Sequence, residues 1–166
     1  MITLISGTNR EDSNTLRVTQ EYYKELNRME ADVQILDLRA LPVCYRSPEL
    51  VAIENELLIP SDKFIFILPE YNGSFPGILK TMIDNTDIRK TWWHKKALLV
   101  GLASGRGGNL RGVDQLSNIL HYLKINVFHN KMLLSKIQEE LDAEGMFYKT
   151  STKEVIKYQI EEFLKF

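Results

Sequence analysis

Residues 1–15 read MITLISGTNREDSNT, and the two parts of this stretch differ sharply in composition. Met1 to Ile5 is a mostly apolar run, which is typical of a buried strand. Ser6 to Thr15 contains no hydrophobic side chain, although a simple turn needs only about two or three such residues. Apolar residues then return at helical spacing, with Ser13 placed to cap the start of a helix. This stretch therefore predicts a strand, a ligand-holding loop and a helix, in that order.

The same alternation of strand and helix continues along the chain. Several strand segments are apolar throughout, a pattern typical of a parallel sheet covered on both faces. No linker or repeat interrupts the pattern, so residues 1–166 are predicted to form a single domain. About five strands favour a flavodoxin-like α/β fold, a doubly wound five-stranded parallel sheet in a three-layer α/β/α arrangement. The predicted strands are 1–6, 33–38, 63–68, 96–103 and 126–134, and the predicted helices are 14–29, 49–59, 77–87, 110–124 and 151–166.

The bulk composition excludes several classes of protein. A hydrophobic content of 44% with 26% charged residues is ordinary for a folded domain. The formal net charge of -1 gives no general attraction to nucleic acid or to an anionic membrane. Cys44 is the only cysteine, which excludes an intramolecular disulfide and suits a reducing cytosol. The N-terminal apolar run is too short for a signal peptide, so we predict a cytoplasmic protein without nucleic-acid or membrane partners.

Three loops with unusual chemistry follow predicted strands, and doubly wound sheets bind their ligands at the carboxyl ends of strands. They are residues 7–15, 69–76 and 104–109. The first enters a helix, whose N-terminal N–H groups and positive dipole favour an anion. It lacks the sequence patterns of a nucleotide P-loop and of a dinucleotide-binding turn, so the expected ligand is one that carries a terminal phosphomonoester. The alternative is a polar helix cap with a solvated arginine. The candidate phosphate donors are Thr8, Arg10, Ser13, Asn14 and Thr15.

The second loop, PEYNGSFP at 69–76, suits a flat polar ligand. Gly73 lets backbone amides approach such a ligand, and Asn72 offers both a donor and an acceptor. Tyr71 is positioned in sequence to lie against an aromatic ring. The alternative is a rigid turn in which Tyr71 and Phe75 pack in the core.

The third loop, SGRGGN at 104–109, carries three glycines. Next to the other two loops, they indicate backbone brought close to the edge of a ligand. Simple flexible linkage is the alternative. Arg106 is expected at the surface, with a second phosphate as its possible partner.

Elsewhere the sequence offers no catalytic constellation. No nucleophile stands beside a base, and His94 and His129 stand apart from any carboxylate or cysteine pattern, so no metal site is predicted. Trp92 and Trp93 are interpreted as core or subunit-contact residues.

The three loops resemble those of the NADPH-dependent FMN reductase family, which includes quinone, chromate and azo-dye reductases. Three groups of residues occur in the order and spacing of that family: GTNR with SNT, then PEYNGS with PG, LK and ID, and finally SGRGG. The middle motif is the specific one. The resemblance departs at Asn85, where family members often have an aromatic residue, and at Thr8, where they commonly have serine.

The resemblance implies an FMN-dependent enzyme, and the functional residues of the family can be assigned to matching positions in this sequence. FMN would be held through its phosphate and its ring, with NADPH or NADH as co-substrate and a quinone, free flavin or similar small molecule as electron acceptor. A homodimer or homotetramer is implied, with the helix after Pro76 near the partner chain. The implied phosphate contacts are Thr8, Arg10, Ser13, Asn14 and Thr15, and the implied ring contacts are Pro69, Glu70, Tyr71, Asn72, Gly73, Ser104, Gly105, Gly107 and Gly108.

Two other functions stay open from the sequence. One is a flavodoxin-type FMN electron carrier without NAD(P)H activity, although such carriers are usually strongly acidic. The other is a binding or regulatory module that kept the fold and lost the flavin. The choice between NADPH and NADH is also open, because neither Arg106 nor Arg111 has a diagnostic spacing for the 2′-phosphate.

Overall fold

The parallel sheet at the centre of the molecule confirms the predicted fold class. The computed structural model describes residues 1–39 and 41–166. The strands are β1 Ile2–Ser6, β2 Val33–Asp37, β3 Lys63–Pro69, β4 Lys96–Leu102, β5 Asn126–Val127 and β6 Met132–Leu134. They run in the order β2-β1-β3-β4-β5, with β6 also paired to β4, and every pairing is parallel. The helices are α1 Asn14–Arg28, α2 Pro48–Ile53, α3 Gly77–Asp84, α4 Leu110–Tyr122 and α5 Thr150–Lys165.

The strand predicted over 126–134 is interrupted, which corrects that prediction. Its two pieces, β5 and β6, both pair with β4 on the same side. Ala97 pairs with Val127, and Val100 pairs with Met132. Two residues of β4 therefore lie opposite the four residues that separate β5 from β6. The surplus residues cannot keep the ladder in register, and the strand breaks there.

Alternation along β3 explains why that strand is apolar throughout. Phe64 and Phe66 face one side of the sheet, in a cluster with residues of α2, α3 and α4. Ile65 and Ile67 face the other side, in a cluster with residues of α1 and α5. All four are fully buried. The sheet is therefore covered on both faces, as the three-layer prediction requires.

Two predicted helices change form near their C-terminal ends. The helix predicted over 49–59 begins one residue earlier, where the Ser47 side chain accepts from the Leu50 N–H, and widens into a π-helical turn at Glu54–Leu58. The helix predicted over 77–87 ends at Asp84. Asp87 instead caps a separate π-helical turn, because its carboxylate accepts from the N–H groups of the next turn at 3.0 Å.

Trp92 lies in that separate turn and belongs to the core. It is fully buried against Phe64, with ring centroids 5.0 Å apart, and its indole N–H donates to the Thr86 hydroxyl at 2.9 Å. The interpretation of Trp92 as a core residue is confirmed. Over residues 1–39 and 41–166, no helix has both the length and the apolar character needed to cross a bilayer.

Candidate functional site

The loops after β1, β3 and β4 meet because these three strands are neighbours in a parallel sheet. A cavity of about 310 Å³ lies between them, within the size range of small-molecule sites. Eight of the predicted site residues line it: Arg10, Ser13, Asn14, Thr15, Pro69, Glu70, Tyr71 and Ser104. Six predicted residues do not line it: Thr8, Asn72, Gly73, Gly105, Gly107 and Gly108.

One wall of the cavity is the N-terminal end of α1. The predicted cap is confirmed, since the Ser13 hydroxyl oxygen accepts from the Leu16 N–H at 3.2 Å. α1 has 15 residues, so its N-terminus carries the partial positive charge of a full helix dipole. Free N–H groups at such an end can bind an anion.

Thr15 adds a free hydroxyl to this wall. It is 2% exposed, and its hydroxyl has no hydrogen-bond partner among residues 1–39 and 41–166. Every side-chain polar atom sealed from solvent in that part of the chain does have a partner, so the small exposed surface of Thr15 includes its hydroxyl. Because Thr15 lines the cavity, this hydroxyl is available to a ligand there.

Arg10, Tyr71 and Thr8 form one cluster across two loops. The Arg10 guanidinium carbon lies 4.1 Å from the centroid of the Tyr71 ring. The Tyr71 and Thr8 hydroxyl oxygens are 2.6 Å apart, in hydrogen-bond contact, and the backbone N–H of Arg10 donates to the same Thr8 oxygen at 3.3 Å. Thr8 thus lies beneath the cavity wall rather than on it. Tyr71 is neither a core residue nor free on both faces, because Arg10 covers one of them.

The loop after β3 is a tight hairpin. Tyr71 and Ser74 exchange two backbone hydrogen bonds, at 2.8 and 3.1 Å, around Asn72 and Gly73. Both central residues have positive φ, 53° and 77°, as a type I′ Asn-Gly turn requires. Asn72 and Gly73 do not line the cavity, and a Cβ atom on Gly73 would lie 3.7 Å from Nη1 of Arg111.

A buried asparagine holds the end of β3 in place. The Asn109 side-chain N–H₂ group donates to the carbonyls of Leu68 and Pro69, at 3.0 and 2.9 Å. Its side-chain oxygen accepts from the Gly112 N–H at 3.2 Å and caps α4. Asn109 is 0% exposed, so one side chain fixes the start of α4 to the backbone that borders the cavity.

Packing explains Gly108, the last glycine of the third loop. A Cβ atom on Gly108 would lie 2.8 Å from the Leu133 side chain and 2.9 Å from its backbone carbon. Gly108 also has a φ of 53°, which L side chains rarely adopt. Gly107 lies near Glu70, whose Oε2 would be 3.8 Å from its Cβ position, and only Ser104 of this loop borders the cavity.

Six cavity-lining residues are absent from the predicted set: Glu11, Asp12, Leu102, Ala103, Ile137 and Gln138. Glu11 and Asp12 lie within the predicted loop, and their place between predicted contacts was a usable signal. Ile137 and Gln138 reach the wall because the Ile137 N–H donates to the Ala103 carbonyl at 3.0 Å, a contact distant in sequence. Three acidic residues, Glu11, Asp12 and Glu70, and one basic residue, Arg10, line the cavity, so its wall carries more negative than positive charge. An anion would be held here by N–H groups, hydroxyls and one guanidinium.

A second cavity, of about 430 Å³, lies between α3 and α4, away from the three loops. It is mostly apolar, and Tyr122 on its wall is 80% exposed. Among residues 1–39 and 41–166, no three His, Cys, Asp or Glu side chains are grouped as a metal site would need.

The fold and the site define an α/β protein of the flavodoxin-like class, with a cavity at the carboxyl edge of its sheet. The family described as NADPH-dependent FMN reductase matches residues 1–139, and the chain belongs to this family of enzymes. The resemblance inferred from the three loops is thereby confirmed. Members of the family use FMN and NAD(P)H.

Individual relatives agree with this assignment. The chain is 26% identical to an NAD(P)H-dependent FMN reductase of Pseudomonas aeruginosa, over 95% of this chain and 89% of the relative. It is 27% identical to the NADPH-dependent FMN reductase ArsH of Rhizobium meliloti, over 99% of this chain and 71% of the relative.

Solved structures share the fold. The flavoenzyme NAD(P)H:(acceptor) oxidoreductase FerB of Paracoccus denitrificans superposes with a TM-score of 0.85 at 20% identity, over 99% of this chain and 94% of that one. A flavodoxin of Streptococcus pneumoniae TIGR4 gives 0.66 at 11% identity, over 99% and 96%. At these identities the likeness shows the fold alone, so an electron carrier and a reductase are equally compatible with it.

Proposed function

We propose that this chain binds FMN in the cavity between the loops after β1, β3 and β4 and acts as an FMN-dependent NAD(P)H oxidoreductase. Its acceptor is a quinone, a free flavin or a similar small molecule. The observation that carries the proposal is the free Thr15 hydroxyl beside the α1 N-terminus, on the wall of a cavity that Pro69 and Glu70 also line. One cavity thus offers a phosphate donor set and a backbone edge for a flat ring.

The residues that would hold FMN follow from these positions. The α1 N-terminus, Arg10, Ser13, Asn14 and Thr15 supply donors for the phosphate. Bound FMN would supply the redox chemistry, accepting a hydride from NAD(P)H and passing electrons to the acceptor.

The ring end of the site has few side-chain donors. Pro69, Glu70, Tyr71 and Ser104 border the cavity there. The Glu70 N–H is already bonded to the Leu102 carbonyl at 2.9 Å, so it holds the sheet edge rather than a ligand. The predicted donors Asn72 and Gly73 stay candidates from the hairpin tip, where oriented N–H groups would favour negative charge on a reduced ring. No side chain is assigned as a general acid or base.

The first experiment tests the function directly. The parent protein is expected to bind FMN and, with FMN present, to oxidise NADPH or NADH when a quinone is added, followed by loss of absorbance at the nicotinamide band. Thr15→Val removes the free hydroxyl with little change of shape and should weaken FMN binding by about 1–3 kcal/mol, the scale of a hydrogen bond to a charged group. Thr150→Val, on the surface of α5 outside the cavity, is the matched control and should bind as the parent does.

Each other outcome selects another function. FMN binding without NAD(P)H oxidation, whatever quinone, dye or flavin is offered, would favour the electron carrier. A protein that ignores FMN altogether would favour a module without flavin. Equal FMN affinity in Thr15→Val and the parent would remove the α1 wall from the phosphate site.

We also propose that the chain forms a homodimer or homotetramer through the apolar cavity between α3 and α4. Ile88 and Tyr122 on its wall are 40% and 80% exposed, and soluble monomers rarely leave such surfaces uncovered. Lys80 and Asp84 pair at 2.7 Å on the same wall. Because the two charges are opposite and close together, this pair adds no net charge that would repel a second copy.

A charge placed on this face tests the assembly. Tyr122→Glu should convert a dimeric parent into monomers, or a tetrameric parent into smaller species, because pairing would bury the new carboxylate among apolar groups. Light scattering during gel filtration gives the mass of each species. Tyr158→Glu on α5, where the parent residue is 58% exposed outside the cavity, is the control and should keep the parent's mass. A monomeric parent, or a Tyr122→Glu variant that keeps the parent's mass, would contradict the proposal. The cytoplasmic location stays a prediction.

A further inference from the structure

We propose that Arg10 also positions the ring end of the flavin site, by holding the loop after β3 against the loop after β1 through Tyr71. This inference rests on the proposed FMN site and assigns Arg10 a role that does not depend on the phosphate. The phosphate role alone would place the guanidinium among the α1 donors. In the structure it lies instead on the ring of Tyr71, 4.1 Å from the centroid.

The contact is anchored on both sides. On the side of the first loop, the Arg10 backbone N–H donates to the Thr8 oxygen, and Thr8 is 1% exposed. On the side of the second loop, the Tyr71 hydroxyl meets that same Thr8 oxygen at 2.6 Å. The ring of Tyr71 is therefore fixed at its hydroxyl by Thr8 and on one face by Arg10. A side chain held in two ways has little freedom to leave the wall of the cavity.

Tyr71 transmits this restraint to the backbone beside the cavity. It opens the two-residue hairpin that closes at Ser74, with hydrogen bonds of 2.8 and 3.1 Å. It follows directly on Pro69 and Glu70, which line the cavity with it. A displaced Tyr71 ring would therefore shift both the hairpin and the edge against which a flat ring would lie.

The geometry of a guanidinium lets Arg10 serve both ends of the site. Its N–H donors lie in the plane of the group, and its carbon lies over the Tyr71 ring, 4.1 Å from the centroid. A guanidinium that contacts a ring through its face keeps these in-plane donors for a second partner, such as a phosphate in the same cavity. A lysine ammonium group has neither a planar face to stack on the ring nor paired N–H donors for two phosphate oxygens.

Riboflavin, which is FMN without the phosphate, separates the two roles. Arg10→Ala is expected to weaken riboflavin binding by about three- to tenfold, the scale of a lost cation–π contact, and FMN binding by more. Thr15→Val, on the phosphate wall, should weaken FMN and leave riboflavin unchanged. Quenching of flavin fluorescence gives each dissociation constant, and circular dichroism checks that each variant is folded.

A double-mutant cycle shows whether Arg10 acts through Tyr71. In a Tyr71→Ala background, adding Arg10→Ala should cause no further loss of riboflavin affinity, because the contact is already gone. A purely phosphate-binding arginine would leave riboflavin affinity at the parental value in Arg10→Ala, which would overturn the inference and leave the proposed function standing. An Arg10→Ala loss of equal size in both backgrounds would overturn it as well.

Amide exchange of the flavin-free protein provides a readout that needs no ligand. Arg10→Ala should speed exchange over residues 69–74, including the Ser74 N–H that bonds to Tyr71, and Thr15→Val should not. Unchanged exchange in Arg10→Ala would refute the positioning role even if the parent bound no flavin. Failure of the parent to bind FMN would instead refute the proposed function, so the two failures are distinguishable.

Discussion

Replacing Asn109 with alanine is expected to lower the free energy of unfolding by about 3–5 kcal/mol. The side chain is fully buried and makes three hydrogen bonds, to the Leu68 and Pro69 carbonyls and from the Gly112 N–H. Alanine leaves these three groups without their partner and also removes the cap of α4. Its backbone has a φ of 66°, which costs alanine a further penalty. Denaturant unfolding followed by circular dichroism measures the change.

Asn109→Gly separates the backbone from the hydrogen bonds. Glycine adopts positive φ without strain, so this variant should lie between the parent and Asn109→Ala in stability. Because Pro69 lines the cavity, both variants should also bind FMN more weakly than the parent. Losses below about 1 kcal/mol in both variants would contradict the anchoring role of this side chain.

The parts of the fold that depend on local chemistry could be predicted from the sequence. The cap at Ser13 and the apolar run of β3 were readable because short-range hydrogen bonds and burial on two faces leave direct marks in sequence. The break between β5 and β6 was not readable. It arises from a mismatch in length against β4, which no feature of residues 126–134 reveals.

The residues of the candidate site also differ in whether a local sequence pattern reveals them. Thr15 and Arg10 were found because a polar loop that enters a helix is a local pattern. Gly108 was grouped with the ligand because glycine required by a ligand and glycine required by packing look alike in sequence. Only the structure shows that the backbone of Leu133 occupies the space beside it. Ile137 reached the cavity through a contact with Ala103 that no local pattern encodes.

Replacing Glu54 with alanine should lower the free energy of unfolding by about 2–4 kcal/mol at neutral pH. Glu54 is 1% exposed, and its carboxylate accepts from the Thr91 hydroxyl at 2.7 Å, from the Asp87 N–H and from Arg46. Thr91 is fully buried, so alanine would leave its hydroxyl without an acceptor away from water. Arg46 is 45% exposed and stays hydrated, so the loss of its ion pair adds little.

Glu54→Gln is the matched variant, because it keeps an oxygen for Thr91 and Asp87, removes the charge and turns an N–H₂ group toward Arg46 in place of the second oxygen. It should be within about 1 kcal/mol of the parent at pH 7, since the exposed ion pair with Arg46 is worth little. The contrast between alanine and glutamine then separates the hydrogen bonds from the charge. Alanine and glutamine variants of equal stability would show that the hydrogen bonds to Thr91 and Asp87 contribute nothing.

The contribution of the Glu54 charge to the free energy of unfolding should be measurable at acidic pH. Burial alone would raise the pKa of this carboxyl group, but hydrogen bonds from Arg46, the Asp87 N–H and Thr91 outweigh burial and lower it. A lowered folded-state pKa means that the carboxylate contributes its full stability above the ordinary glutamate pKa of about 4.3. That contribution is lost as the pH falls through the lowered value. The parent should therefore lose stability more steeply than Glu54→Gln as the pH falls below about 4.3.

Denaturant unfolding of the parent and of Glu54→Gln over a series of pH values measures this difference. Glu139, whose lowered pKa comes from Lys136 and Lys149, is present in both proteins and cancels in the comparison. The two stability curves should converge as the pH falls, since protonation of Glu54 removes from the parent the charge that the variant already lacks. Parallel curves over this range would mean that Glu54 has the same pKa in the folded and unfolded chains, and that its buried hydrogen bonds do not favour the charged form.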